Sequence, residues 1–144
     1  MQDLPHRYAV TAHAAAEGEV VVSARGLGEL HTAPPAEFGG PGDRWSPETL
    51  LVAAVADCFV LSFRAIARAS GFAWRDLNCS AEGVLDRVEG ALRFSDLHIR
   101  ARLVVQEGAD EGRARRLLEK AEKGCLVSNS LIAKKHLETE VVRG

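Results

Sequence analysis

The chain has little of what would commit it to a particular partner. No run of four like charges occurs, and its 18 Lys and Arg are scattered among 20 Asp and Glu, for a formal net charge of −2 and a pI near 6.2. A clustered basic footprint for nucleic acid is therefore missing, and no nucleic-acid partner is expected. Cysteine is scarce and odd in number, at three. The first residues, Met1–Val10, contain no basic stretch followed by an apolar core, so no secretory signal is read there and a cytoplasmic location is expected. In such a reducing setting a thiol pair is more often catalytic or metal-binding than a structural staple. The histidines His6, His13, His31, His98 and His136 stand apart, with no Cys-x-x-Cys or His-x-x-x-His spacing, so no metal site is expected. No glycine-rich phosphate loop follows a strand, so no nucleotide or other cofactor is expected. A long apolar run is missing too. The best candidate, residues 50–63, holds 14 residues and includes Asp57, short of the ~20 a membrane-spanning helix needs. It is read as a buried core helix, with no membrane partner.

What is present describes one globular domain over residues 1–144. Hydrophobic residues make up 47% and charged residues 26%, an ordinary balance for a compact chain of this length. The first third reads as short strands in RYAVTAHA, GEVVVSAR and GELHTA, punctuated by Gly18, Gly26 and Gly28. Residues 33–47 then concentrate four prolines and three glycines, a surface loop. Ser46-Pro47-Glu48 is a helix start: the Ser46 hydroxyl can accept from a free backbone N–H, Pro47 wastes no donor, and Glu48 meets the positive end of the helix dipole. The helix should run to about Ser70 and stop at Gly71. Because it is apolar nearly all round, burial on most sides is expected.

Two long strands follow. In DLNCSAEGVLDRV, Leu77, Cys79, Ala81 and Leu85 fall on one face. Glu89-Gly90 makes a tight return. In LRFSDLHIRARLVV the apolar parity switches near Ser95-Asp96, from Leu92 and Phe94 to Leu97, Ile99, Ala101, Leu103 and Val105, which predicts a β-bulge. DEGRARRLLEKAEKG reads as an amphipathic helix, CLVSNSLIAKK as a shorter helical segment, and HLETEVV as a closing strand. Strands, a buried helix, strands, helices and a strand give an α+β class.

Cys58, taken alone, is by base rate a small buried hydrophobe, and Cys79 on an apolar strand face is read as core. Cys125 follows a helix-ending glycine and begins a helical turn, where free N–H groups favour thiolate over thiol, with Ser128 within reach as a further donor.

Together, SPETLLVAAVADCF and the later GCLVSNSL resemble the OsmC/Ohr family, α+β proteins that reduce organic hydroperoxides. The family opens a long buried helix with Asn- or Ser-Pro-Glu, places a peroxide-reacting cysteine ten residues after the glutamate, and carries the resolving cysteine in Cys-Pro-x-Ser. Glu48 and Cys58 keep that spacing, and Cys125 with Ser128 occupies the second motif. The resemblance covers essentially the whole chain. It implies antiparallel sheets packed around a long buried central helix in an intertwined homodimer, with Cys58, Cys125 and Glu48 as catalytic residues, an organic hydroperoxide as substrate and a dithiol as reductant. Leu126 stands where many members have proline. The family arginine from an early strand or loop falls on AAEGEVVV, where Glu17 and Glu19 stand instead, leaving Arg25 or Arg44 as substitutes. An apolar wall of Leu51, Val55, Phe59 and Leu61 would suit a fatty or aromatic hydroperoxide. Ten helical residues rise ~15 Å, so Glu48 can assist only the Cys58 of a second chain. The competing reading is a module of the same fold that binds an apolar small molecule or senses redox state without rapid turnover.

Overall fold

The structure, a computed structural model, describes every residue from Met1 to Gly144. It forms two compact units, Met1–Leu51 and Val52–Gly144.

The first unit holds a three-stranded antiparallel sheet of β1 (Thr11–His13), β2 (Val20–Ser23) and β3 (Leu30–Thr32), in that order. After β3 the proline-rich loop makes one 3-10 turn over Ala36–Phe38 and folds back tightly. A Cβ on Gly40 would meet the Pro34 carbonyl oxygen at 1.7 Å, so no other residue fits there. Trp45 then bridges to Thr32. The expected helix start is present in reciprocal form. The Thr49 N–H donates to Ser46 Oγ at 3.1 Å, and the Ser46 N–H donates to Thr49 Oγ1 at 2.8 Å. Threonine here does the work of glutamate in a capping box.

The helix α1 covers Pro47–Ala69. By length and composition it is long and apolar enough for a membrane span, unlike the 14-residue run the sequence offered. Burial on most sides, however, does not hold. Val55, Phe59, Phe63 and Ala67 are buried, and most of the remaining apolar side chains are half-buried or exposed. The reason is the i, i+4 spacing, which puts one stripe against the second unit's sheet.

That sheet contains β4 (Asp76–Val88), β5 (Ala91–Val105) and β6 (Lys134–Arg143), in the order β4-β5-β6. β4 and β5 form an antiparallel hairpin that turns at Glu89 (φ 51°) and Gly90 (φ 81°), the left-handed pair a two-residue hairpin turn requires. The bulge falls where the parity switch put it. Val84 pairs with Asp96 and Leu85 with Phe94, so Ser95 is the extra residue. Leu85, which shares a face of β4 with Leu77, is exposed, because the hairpin beyond the bulge outruns the core. Gly83 lies under α1: a Cβ there would come within 2.8 Å of Phe94 and of Val52.

β6 runs parallel to β5, so this sheet is mixed rather than antiparallel throughout. A parallel return needs a crossover. It is supplied by α2 (Glu111–Lys123), capped by Asp110 accepting from the Arg113 N–H at 3.0 Å, and by α3 (Leu126–Asn129). α3 is shorter than the helical reading of 125–135, since Lys134 and Lys135 already belong to β6. The core joins the α1 stripe, Leu97, Ile99, Ala101, Leu103 and Val105 of β5, and Ala114, Leu117, Leu118 and Ala121 of α2. Phe63 meets Trp74 edge to face at 5.4 Å.

Candidate functional site

Cys58 and Cys125 are 67 residues apart in the chain, yet both belong to the second unit and the structure brings them together. α1 presents Cys58 beside its core stripe. Gly124 ends α2 by donating its N–H to the Lys120 carbonyl at 3.0 Å, and the chain then turns so that Cys125 opens α3 as its N-cap residue. Both thiols are free. Cys125 is wholly buried; Cys58 is partly exposed.

The electrostatics of the two sulfurs differ, and the expectation that the helix start favours a thiolate at Cys125 does not hold. Burial pushes the Cys58 thiol up. Hydrogen bonds from the Val127 backbone N–H, the Cys125 thiol, the Ser62 hydroxyl and the Leu126 N–H together outweigh that and hold it below the ordinary thiol range. Ser62 Oγ lies 3.9 Å from the sulfur, one helical turn along α1. Cys125 is raised, first by burial and then by the neighbouring Cys58, although the Ser128 N–H and hydroxyl temper the rise. The Leu126 and Val127 N–H groups at the start of α3 therefore serve the sulfur on α1, and the Ser128 N–H acts on Cys125. The Cys125 side chain itself makes no capping hydrogen bond. This arrangement can stabilise a thiolate at Cys58 and keep a protonated thiol beside it.

Cys79, read as core, does pack against the core from β4, and burial raises it to about 11. The expected apolar wall does not hold in full. Val55 and Phe59 are buried among core side chains, leaving Leu61 exposed and Leu51 half-buried. Glu48 lies in the first turn of α1, and its Oε2 is buried without a hydrogen-bond partner. Of the two arginines considered as substitutes, Arg44 is already paired with a carboxylate. Arg44 donates from Nε to Glu19 Oε1 at 2.7 Å, and Glu19 also pairs with His31 at 2.9 Å. The Arg44 contact, with His31 second, holds the Glu19 carboxyl below its ordinary range. Arg25 is exposed. Sequence reasoning missed Ser62, which the i, i+4 relation to Cys58 would have flagged, and the Leu126 and Val127 N–H groups, which carry no side-chain signature.

A family model described as OsmC-like protein matches residues 40–140. The uncharacterized protein YmaD of Bacillus subtilis is 28% identical over 109 residues, covering 74% of this chain and 73% of its own. Among solved structures, the organic hydroperoxide resistance protein OsmC from Legionella pneumophila matches with a TM-score of 0.76 at 26% identity, over 97% of this chain and 99% of that one. An OsmC-like protein of unknown function from Vibrio cholerae matches with a TM-score of 0.84 at 15% identity, over 96% and 100% of the two chains. At that identity the likeness concerns the fold alone.

Proposed function

The chain belongs to the OsmC-like protein family, and we propose that it is a thiol-dependent peroxidase that reduces organic hydroperoxides through Cys58 and Cys125. The observation that carries this reading is the unequal pair: a Cys58 sulfur lowered by converging donors, beside a Cys125 thiol that is raised and buried.

The Cys58 thiolate attacks the terminal oxygen of the hydroperoxide. An S–O bond forms, the O–O bond breaks, and an alkoxide leaves. The neighbouring Cys125 thiol is the proton source on this reading. Giving its proton to the alkoxide releases the alcohol and turns Cys125 into a thiolate at the moment a nucleophile is needed. That thiolate attacks the Cys58 sulfenic sulfur, forming a disulfide and expelling hydroxide. An external dithiol then restores both thiols by two exchange steps, consistent with a reducing cytoplasm.

The working form on this reading is a homodimer. Supporting it are the partly exposed apolar side chains of α1 outside its buried stripe, the exposed Leu61, and the buried Glu48 oxygen that finds no donor within one chain. A buried unpaired carboxylate oxygen is costly; a donor from a second copy would offset it.

The test is consumption of cumene hydroperoxide with dihydrolipoamide by wild type and Cys58→Ser. Loss of turnover in the variant is expected, and equal rates would end the proposal. Arg44 being engaged by Glu19 favours a second reading, a redox sensor or a binder of an apolar small molecule. It would form the disulfide with peroxide but consume little, and native mass spectrometry would find a retained apolar compound.

A further inference from the structure

The histidines that look isolated in the sequence are not all isolated in space. Asp96 and His98, two residues apart on β5, share the face opposite the core positions Leu97 and Ile99. The parallel register sets His136 of β6 directly beside His98. One carboxylate and two imidazoles thereby converge, with candidate ligand atoms all within 4.8 Å of one another. His136 Nε2 lies 2.8 Å from Asp96 Oδ1. Ser95 Oγ donates to the other carboxylate oxygen, Oδ2, at 2.8 Å, which fixes the orientation of the group and leaves Oδ1 toward the histidines. The two imidazoles stack with centroids 4.5 Å apart and planes 11° from parallel.

We propose that Asp96, His98 and His136 form a binding site for a divalent transition-metal ion of the zinc type. Two neutral imidazoles and one carboxylate suit zinc and its first-row neighbours, and do not suit calcium or magnesium, which take oxygen ligands throughout. Stability alone does not account for the cluster, because an ion pair as exposed as His136–Asp96 contributes little and gains nothing from a second imidazole laid against it. Rotation about the imidazole χ2 is soft. A small turn of each ring aims its nitrogen at one ion, which takes the place of the proton between His136 and Asp96. Glu82 of β4 pairs in register with His98 and lines with it, Ser80, Ala81 and Arg100 a cleft of about 210 Å³, so a second carboxylate stands on the same side of the sheet. The competing positive charge of Arg100 is engaged by Glu138 at 3.1 Å. Three protein donors leave coordination positions open to water.

The experiment uses tag-free full chain carrying Cys58→Ser and Cys125→Ser, so that the thiol pair cannot hold the metal. Zinc affinity is read by competition with a chromophoric chelator, and cobalt binding by its visible spectrum. We expect one ion per chain, no sulfur-to-cobalt charge-transfer band, and affinity at least ~tenfold weaker in His98→Gln, His136→Gln and Asp96→Asn, the scale that supporting groups around a metal already command. Zinc-induced shifts of two imidazole ¹⁵N signals in the parent protein test the same site without relying on how the variants fold. Absence of zinc binding, a thiolate band, or unchanged affinity in all three folded variants would overturn the proposal.

Discussion

Leu126→Pro deletes one hydrogen bond to the Cys58 sulfur and almost nothing else. Leu126 is the first residue of α3, and its side chain is 71% exposed, so its replacement costs no packing. Proline is tolerated at the first helical position, and Cys125 before it is already extended at φ −70° and ψ 104°. What vanishes is the Leu126 N–H that helps lower the Cys58 thiol. A hydrogen bond to a charged group contributes ~1.5–3 kcal/mol net. Cys58 is only partly buried, so the lower end applies, about 1.5 kcal/mol, which is roughly a tenfold change in the thiolate-to-thiol ratio at fixed pH. Alkylation by iodoacetamide, followed by mass spectrometry of the Cys58 peptide, reads that ratio directly. Below the titration midpoint the variant should react ~tenfold more slowly; at alkaline pH, where both proteins are fully ionised, the rates should converge. Leu126→Ala keeps the N–H and should match wild type throughout. If Leu126→Pro, with its circular dichroism intact, alkylates as fast as wild type at every pH, the Leu126 N–H does not sustain the thiolate and the role given to it fails.

Gly83→Ala should lower stability by ~1–3 kcal/mol, seen as a reduced denaturation midpoint, because the new methyl group would press on Phe94 and Val52; an unchanged midpoint would contradict the close approach of α1 to β4. Phe63→Ala empties a fully buried site against Trp74 and should cost ~3–5 kcal/mol, read from urea unfolding. Cys79 has its thiol raised to about 11, above the ~8.5 of a free thiol. A raised folded-state value gives stability that is complete below the unfolded value and is lost as pH rises through the folded one. Wild type should therefore lose stability between those two points faster than Cys79→Ala does in parallel thermal melts; identical slopes would refute the burial argument.

Much of the fold was legible because local chemistry spoke for it. Ser46-Pro47 started α1, Glu89-Gly90 turned the hairpin, and the parity switch at Ser95 marked the bulge. The direction of β6 was not legible, since a parallel return depends on where α2 and α3 carry the chain and leaves no pattern in HLETEVV itself. Nor was the one-sided burial of α1: composition records how apolar a helix is, not which of its sides finds a neighbour. The site was half legible. The spacing of Glu48, Cys58 and Cys125 drew attention to two sulfurs that turn out to be neighbours, but the donors at Cys58 include backbone groups, which every residue owns. The same limit hid the grouping of Asp96, His98 and His136, which exists only through strand register.

Two sulfurs that meet in space while standing 67 residues apart in the chain have a thermodynamic corollary. Joining them would close a loop that holds the C-terminal half of α1, the hairpin and α2, and so restrict every unfolded conformation the chain can reach. For a loop of that length the chain-entropy relation gives ~4 kcal/mol of added resistance to unfolding. Each oxidation event would then stabilise the fold, and each visit by a reductant would withdraw that stabilisation. Melting temperature would become a running record of the oxidant the molecule has met.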